Sequence, residues 1–352
     1  MKLIPELREA CAANAAMLGA AFISGREAAS FFAVAGWASW AGIAVSSVLF
    51  GALMGMLCNF ARITGAATLP GIYYSRLDAR CGDAISVVHA LLMLMMGAVA
   101  LSTAGELGLL SLNLPNPVPV SALVTLLTAL ALTCRGMRPL SSIALVTIPA
   151  CILFFAALAL DPRPSGAGVF IETDTYDISG NLPAAVFLGA LFAFLKSAMA
   201  GGVAAARSRG LSPRKFGVCC GAILALVAGT ANWALQCAGP EVWGLSLPSV
   251  VLAARWGVAG YYLSIYVMWL GCISLLSCAI GSLTALFSAR VSRPAAALFT
   301  SAGIALMSVT GLKPLVSVGY PMLGWLCAIC LGALAVFCER RPRRKAIASS
   351  SK

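Results

Sequence analysis

Long apolar runs, each about the length of one bilayer crossing and parted by short polar loops, dominate this chain. With about 20 apolar residues per crossing as the ruler, ten candidate spans emerge, at roughly 10–33, 36–60, 84–110, 118–134, 139–160, 183–206, 216–237, 258–288, 294–311 and 315–338. The loops test that division, because cytoplasmic loops carry the excess of Lys and Arg. Basic residues gather in the N-terminal tail (Lys2, Arg8), after the second span (Arg62, Arg76, Arg80), after the fourth (Arg135, Arg138), after the sixth (Arg207, Arg209, Arg214, Lys215), after the eighth (Arg290, Arg293) and in the C-terminal tail (Arg340, Arg341, Arg343, Arg344, Lys345, Lys352). The alternate loops hold only Arg163, Arg255 and Lys313, and the longest of them, 161–182, is acidic through Asp161, Glu172, Asp174 and Asp177. The alternation predicts a multi-pass protein of the cell membrane with both termini cytoplasmic. Trp37, Trp40, Trp243, Trp256, Tyr261 and Tyr262 then fall near the outer interface, as an aromatic belt would.

Ten spans divide into two sets of five. An odd number of helices per half inverts the second half relative to the first, an arrangement many secondary transporters use. The predicted fold is therefore an all-α polytopic membrane protein, a single membrane domain of repeat one (about 10–160), the acidic outer loop (161–182), repeat two (about 183–338) and a basic tail (339–352). Spans one and six should correspond, and both are expected to be interrupted.

Composition agrees with this reading. Of the 352 residues 61% are hydrophobic and 10% charged, and the mean hydropathy of +0.94 lies outside the range of soluble domains. The net charge of +12 sits in short clusters between apolar runs, not on an aromatic-interleaved basic face, so nucleic acid is not an expected partner. Glu6 and Glu9 precede the first apolar run, which is unlike a cleavable signal peptide, and the N-terminus is read as retained. The 13 cysteines are scattered, mostly inside spans, where Cys acts as a small hydrophobe; Cys327-x-x-Cys330 has no second pair and reads as packing. One His, no nucleophile elbow and no phosphate-cradling loop leave nothing that reads as an enzyme, a metal site or a bound cofactor.

The chemistry concentrates in residues 18–32, Leu-Gly-Ala-Ala-Phe-Ile-Ser-Gly-Arg-Glu-Ala-Ala-Ser-Phe-Phe. At mid-membrane each charged residue costs roughly 2.5–3.5 kcal/mol on insertion scales, so such residues mark a substrate or ion pathway. Gly19 and Gly25 loosen the helix there, and irregular backbone at this depth survives only when buried in protein or lining a cavity. Glu27 could be a proton-coupling carboxylate, a ligand for a substrate amine or the partner of a buried cation. Arg26 reads as a structural or gating contact. In the sixth span, Lys196 and Ser197 precede the pair Gly201-Gly202, and a lone Lys at that depth needs a partner or a wet cavity. It could pair with Glu27, bind a substrate carboxylate or stand in for a cation, although simple rise arithmetic sets the two about 10 Å apart in depth. His89 reads as a packing residue, Glu106 as facing the outer vestibule, and Gly271, Ser274, Cys278, Gly281 and Ala285 as a small-residue packing stripe.

The first-span stretch resembles the signature of the YkvI-type bacterial membrane proteins, a pattern close to G-A-G-F-A-S/T-G-x-E followed by an apolar pair. That family is similar to the amino acid–polyamine–organocation superfamily, so the resemblance implies a LeuT-like transporter fold over nearly the whole chain. Two departures stand out. Ala21 replaces the second glycine of the pattern, which restricts the dihedrals of an unwound turn. In the eighth span the resemblance implies a hydroxyl pair at a sodium site, but the stretch reads Leu276-Ser-Cys-Ala279, and a thiol is a poor ligand for a hard cation.

The function expected is secondary active transport of a small organic solute, an amino acid or related amine, across the bilayer by alternating access. Gly19, Ala20, Ala21, Phe22, Ser24, Gly25, Glu27, Lys196 and Ser197 are the candidate substrate-binding residues. Glu27, Lys196, Ser274 and Ser277 are the candidate ion-coupling residues, the ion being H⁺ or Na⁺. The alternative is a receptor or sensor subunit of the same fold that binds without net transport.

Overall fold

The computed structural model describes residues 5–77, 79–111, 115–134, 138–161, 178–245, 247–288, 291–312, 315 and 319–340, and every regular element among them is helical. The acidic residues at 172, 174 and 177 and the basic tail from 341 lie outside the described residues. The helices are α1 (Pro5–Met17), α2 (Ala20–Ile23), α3 (Arg26–Phe31), α4 (Ser39–Thr64), α5 (Leu69–Arg76), α6 (Ala79–Ser111), α7 (Pro117–Cys134), α8 (Arg138–Leu160), α9 (Leu182–Arg207), α10 (Pro213–Ala238), α11 (Pro240–Trp243), α12 (Pro248–Ala253), α13 (Gly257–Phe287), α14 (Arg293–Ser308) and α15 (Tyr320–Arg340).

Six segments of the described residues are long and apolar enough to cross a membrane: Ala33–Thr64, Ala79–Ser111, Pro117–Cys134, Leu182–Arg207, Pro213–Ala238 and Pro248–Phe287. Of the rest of the expected set, 10–33 is split among α1, α2 and α3, α14 has 16 residues, and within α8 and α15 the apolar stretches Leu145–Leu160 and Met322–Val336 are shorter. Outward faces are apolar, with Val48 75%, Leu153 69%, Phe299 71% and Leu306 77% exposed. Water would not tolerate that surface, whereas lipid does.

Backbone-to-backbone packing holds the centre. A Cβ on Gly189 of α9 would lie 2.2 Å from the Gly42 carbonyl of α4, and one on Gly217 of α10 would lie 2.5 Å from the Gly51 carbonyl. Helices in lipid gain little from hydrophobic contrast, so this closeness, which only small residues permit, supplies the van der Waals contact that joins them. α1 packs on α8, α9 and α10, and α2 packs on α6 and α13, which sets the first span inside the bundle.

Two expectations are corrected. α9 runs unbroken from Leu182 to Arg207, so the interruption expected near Lys196 is absent. Its Gly201 instead admits Leu57 and Leu69, whose methyls lie 3.1 Å from where a Cβ would stand. Glycine weakens a helix by only about 1 kcal/mol against alanine, and the intact backbone bonds outweigh that in an apolar setting. Trp243 is 8% exposed and donates from Nε1 to the Leu235 carbonyl at 2.9 Å, so it is interior; Trp37, Tyr262 and Trp40, at 70%, 53% and 49%, are the exposed aromatics of the proposed belt.

Candidate functional site where the first span breaks

The first span breaks twice, and a different helix closes each break. α1 stops at Met17, where the Leu18 amide still donates to the Asn14 carbonyl at 2.8 Å. The Met17 carbonyl accepts instead from Lys196 Nζ of α9, at 3.0 Å. The chain makes four helical residues, Ala20–Ile23, then turns at Gly25 with φ 84°, a left-handed conformation natural to glycine. At this second break Ser249 of α12 donates its hydroxyl to the Ile23 carbonyl at 2.8 Å and its amide to the Ser24 carbonyl at 2.9 Å. The Ser24 hydroxyl donates to the Ala21 carbonyl at 2.9 Å. Irregular backbone persists at this depth because such donors meet its freed carbonyls.

Glu27 stands in the first turn of α3, and its Oε2 lies 2.6 Å from Lys196 Nζ, the two side chains being 1% and 0% exposed. The ammonium also sits 5.2 Å from the Phe192 ring centroid and 5.8 Å from that of Tyr320, within cation–π range. Phe22, Phe31 and Phe32 pack on Phe192 with centroids 6.1, 5.2 and 5.1 Å away, a dry aromatic wall around the charges. Neither carboxylate oxygen meets a donor at a good hydrogen-bond angle, so the contact is one of charge rather than of directed bonding. The buried Ser197 hydroxyl is unpartnered as well, and the buried Tyr320 hydroxyl is set towards the Glu27 carboxylate short of good hydrogen-bond geometry. Spare polar capacity is thus collected around one ion pair.

The structure brings together most of the residues singled out from sequence. Gly19 faces α13 closely enough that a Cβ would fall 2.1 Å from Leu275 Cδ2. Gly19 precedes α2 and Ala20, Ala21 and Phe22 begin it, and the Phe22 amide is already spent on the Gly19 carbonyl at 3.0 Å. Ser274 is 2% exposed with an unpartnered hydroxyl. Ser277 donates to the Ala129 carbonyl of α7 at 3.4 Å, because with Leu275 aimed at Gly19 a residue two positions on points roughly 200° away. Arg26 reaches outward from the site, donating from Nη1 to the carbonyls of Trp243 and Leu245 at 3.2 and 3.4 Å. His89 lies elsewhere, lining a small cavity with Tyr73, Cys327 and Cys330. Among the described residues no three His, Cys, Asp or Glu side chains converge as a metal site.

Sequence reasoning missed two members. Tyr320 opens the last helix, inside the apolar run read as the tenth span, and Ser249 lies in the loop between the seventh and eighth spans. Neither carried a charge or a motif to mark it.

No family model matches the chain. An uncharacterised membrane protein, YkvI of Bacillus subtilis (strain 168), is 26% identical over 345 residues, covering 94% of this chain and 95% of the relative. Among solved structures, MHP1, a nucleobase-cation-symport-1 family transporter in a closed conformation with bromovinylhydantoin bound, superposes with a TM-score of 0.59 at 16% identity, covering 94% of this chain and 76% of that one. A variant of the Eremococcus coleocola manganese transporter superposes with a TM-score of 0.58 at 14% identity over the same shares. Identities this low speak for the fold alone, and both folds are those of transporters rather than enzymes. The resemblance carried by the first-span motif thus extends along nearly the full chain to the YkvI membrane protein, and the fold is similar to those of MHP1 and the manganese transporter.

Proposed function

We propose that this chain is a secondary active transporter of a small organic solute, an amino acid or related amine, working by alternating access. In this reading all ten segments cross the bilayer as a five-plus-five inverted repeat with both termini cytoplasmic. The observation that carries it is the buried Glu27–Lys196 pair lying across a broken first span. A bundle built only to anchor gains nothing from two charges that cost several kcal/mol each to desolvate.

The arrangement suggests how charge would be handled. Lys196 holds the Met17 carbonyl and the Glu27 carboxylate, two groups that would otherwise receive a cation or a substrate ammonium. Moving or deprotonating Lys196 would expose both. A substrate carboxylate would meet the amides at 19–21, at the start of α2. Proton coupling is favoured over sodium because Ser277 is turned to α7 and Cys278 is a poor sodium ligand. A single carboxylate already balanced by a lysine also suits an organic solute better than a divalent metal.

The test is ligand-induced thermal stabilisation of the purified protein across amino acids and amines, in sodium and in choline, followed by uptake into proteoliposomes. A solute at a hundredfold excess over Kd should stabilise by about 2.7 kcal/mol. Wild type should respond and accumulate solute down an imposed proton gradient, and Glu27→Gln and Lys196→Met should not. Equal responses from wild type and both variants would remove the site from Glu27 and Lys196, and binding without accumulation would favour the receptor reading.

A further inference from the structure

A second feature lies apart from the ion pair, on the outer surface where α4 crosses α10. Gly51 and Gly55 of α4 and Gly217 and Gly221 of α10 are each spaced by four residues, and a Cβ on Gly51 would stand 2.8 Å from the Gly217 carbonyl. With both helices stripped to backbone, the valley beside the crossing opens into a groove of ≈ 1130 Å³. Val48, Ala52, Met56, Val218, Ala222 and Ala225 form its walls, and Val48 and Val218 are 75% and 71% exposed. From Ser47 to Arg62 the α4 side of the groove runs 15 residues, about 22 Å at ~1.5 Å per residue.

The two ends differ in character. One end is rimmed by Asn59, Arg62, Ser212 and Arg214, with Arg62 Nη2 donating to Asn59 Oδ1 at 3.4 Å. Among the described residues no acidic side chain lines the groove; Glu6, buried behind the rim, accepts from the Ser212 amide at 3.3 Å. Two guanidinium groups at one end and hydrocarbon along the rest match a molecule with an anionic head and a long apolar tail. A basic cluster where a membrane helix meets the interface attracts anionic lipid. A second copy of this chain is a poorer fit, since two-fold packing on this face would set the arginines of both copies against one another.

We propose that this groove is a binding site for an anionic phospholipid, its phosphate held by Arg62 and Arg214 and one acyl chain laid along the glycine crossing. The geometry is independent of what the transporter carries.

Native mass spectrometry of the full chain, released from detergent after equilibration with equimolar phosphatidylglycerol and phosphatidylcholine, tests it. Retained phosphatidylglycerol should exceed phosphatidylcholine at least fivefold. Arg62→Gln/Arg214→Gln, both exposed sites, should bring the two lipids near parity. Ala52→Leu/Ala222→Leu, which fills the groove from its exposed wall, should remove the retained lipid, and unchanged melting temperatures would show that both variants still fold. The phosphodiester headgroup without chains should not displace the lipid; if it does, the groove is a plain anion site and the acyl-chain assignment fails. Equal retention of the two lipids by wild type, or lipid retention unaltered in both variants, overturns the proposal, as does a dimer lost in the groove-filling variant.

Discussion

Glu27 and Lys196 lend themselves to a double-mutant cycle whose outcome the geometry sets. Both side chains are essentially without solvent contact and their charged atoms are 2.6 Å apart. Removing one partner strands the other as an unpaired charge in an apolar site, which costs about 3–5 kcal/mol. Lys196→Met carries more than the ion pair: it also leaves the Met17 carbonyl, now met at 3.0 Å, without a donor, a further loss of about 1–3 kcal/mol, and removes the ammonium from the Phe192 face. Glu27→Gln leaves the Met17 contact in place, so it should be the milder of the two. The double variant has no stranded charge and should lose less than the sum of the singles by at least ~3 kcal/mol. Reversible unfolding in mixed detergent–SDS micelles supplies the free energies. Single losses below ~1 kcal/mol that simply add would mean that the charges are solvated and independent, and the case for a desolvated pair at the break would collapse.

Two further expectations bear on the same region. Gly25→Ala forces a side chain into φ 84° and towards Pro248 Cβ at 3.2 Å, whereas Gly210→Ala, at φ 80° with open space around it, meets the dihedral penalty alone. Both should lose about 1–2 kcal/mol in the same unfolding assay, with Gly25→Ala the larger, and a loss at Gly25 no greater than at Gly210 would show that the Pro248 contact is slack. Tyr320→Phe removes a hydroxyl that faces Glu27 without good hydrogen-bond geometry and keeps the ring beside Lys196, so stability should change by less than about 0.5 kcal/mol. A larger loss in the same assay would mean that the hydroxyl is bonded to Glu27 in the folded protein.

What could be read from the chain follows from which signals are one-dimensional. Hydropathy is local, so the six long apolar segments were legible in the sequence, as were the two ionisable residues set within apolar runs. The break itself is also local, because Gly25 supplies the positive φ and Gly19 the close approach to Leu275. Glycine has two uses in a membrane helix, however, and periodicity does not tell them apart. In α9 Gly201 admits Leu57 and Leu69 and the helix stays whole; in the first span Gly25 turns the chain. The difference lies in the partners: Ser249 and Lys196, distant in sequence, stand ready to receive the carbonyls that a break exposes, and α9 has no need of such a set.

Depth arithmetic fails for the same reason. Counting ~1.5 Å per residue assumes one continuous helix, but the first span interrupts its rise at Leu18–Gly19 and again at Ser24–Gly25, so Glu27 need not lie where a straight helix would put it. The lysine stem then closes much of what separation is left, carrying its ammonium away from the α9 backbone to the first-span carbonyl. The break and the ion pair therefore support each other. Without the break there is no free Met17 carbonyl to share the ammonium, and without Lys196 that carbonyl and Glu27 would both be left buried and unmet. A chain that could move Lys196 alone would undo both at once, so in the proposed mechanism the pair, rather than either residue, would couple charge to movement of the first span.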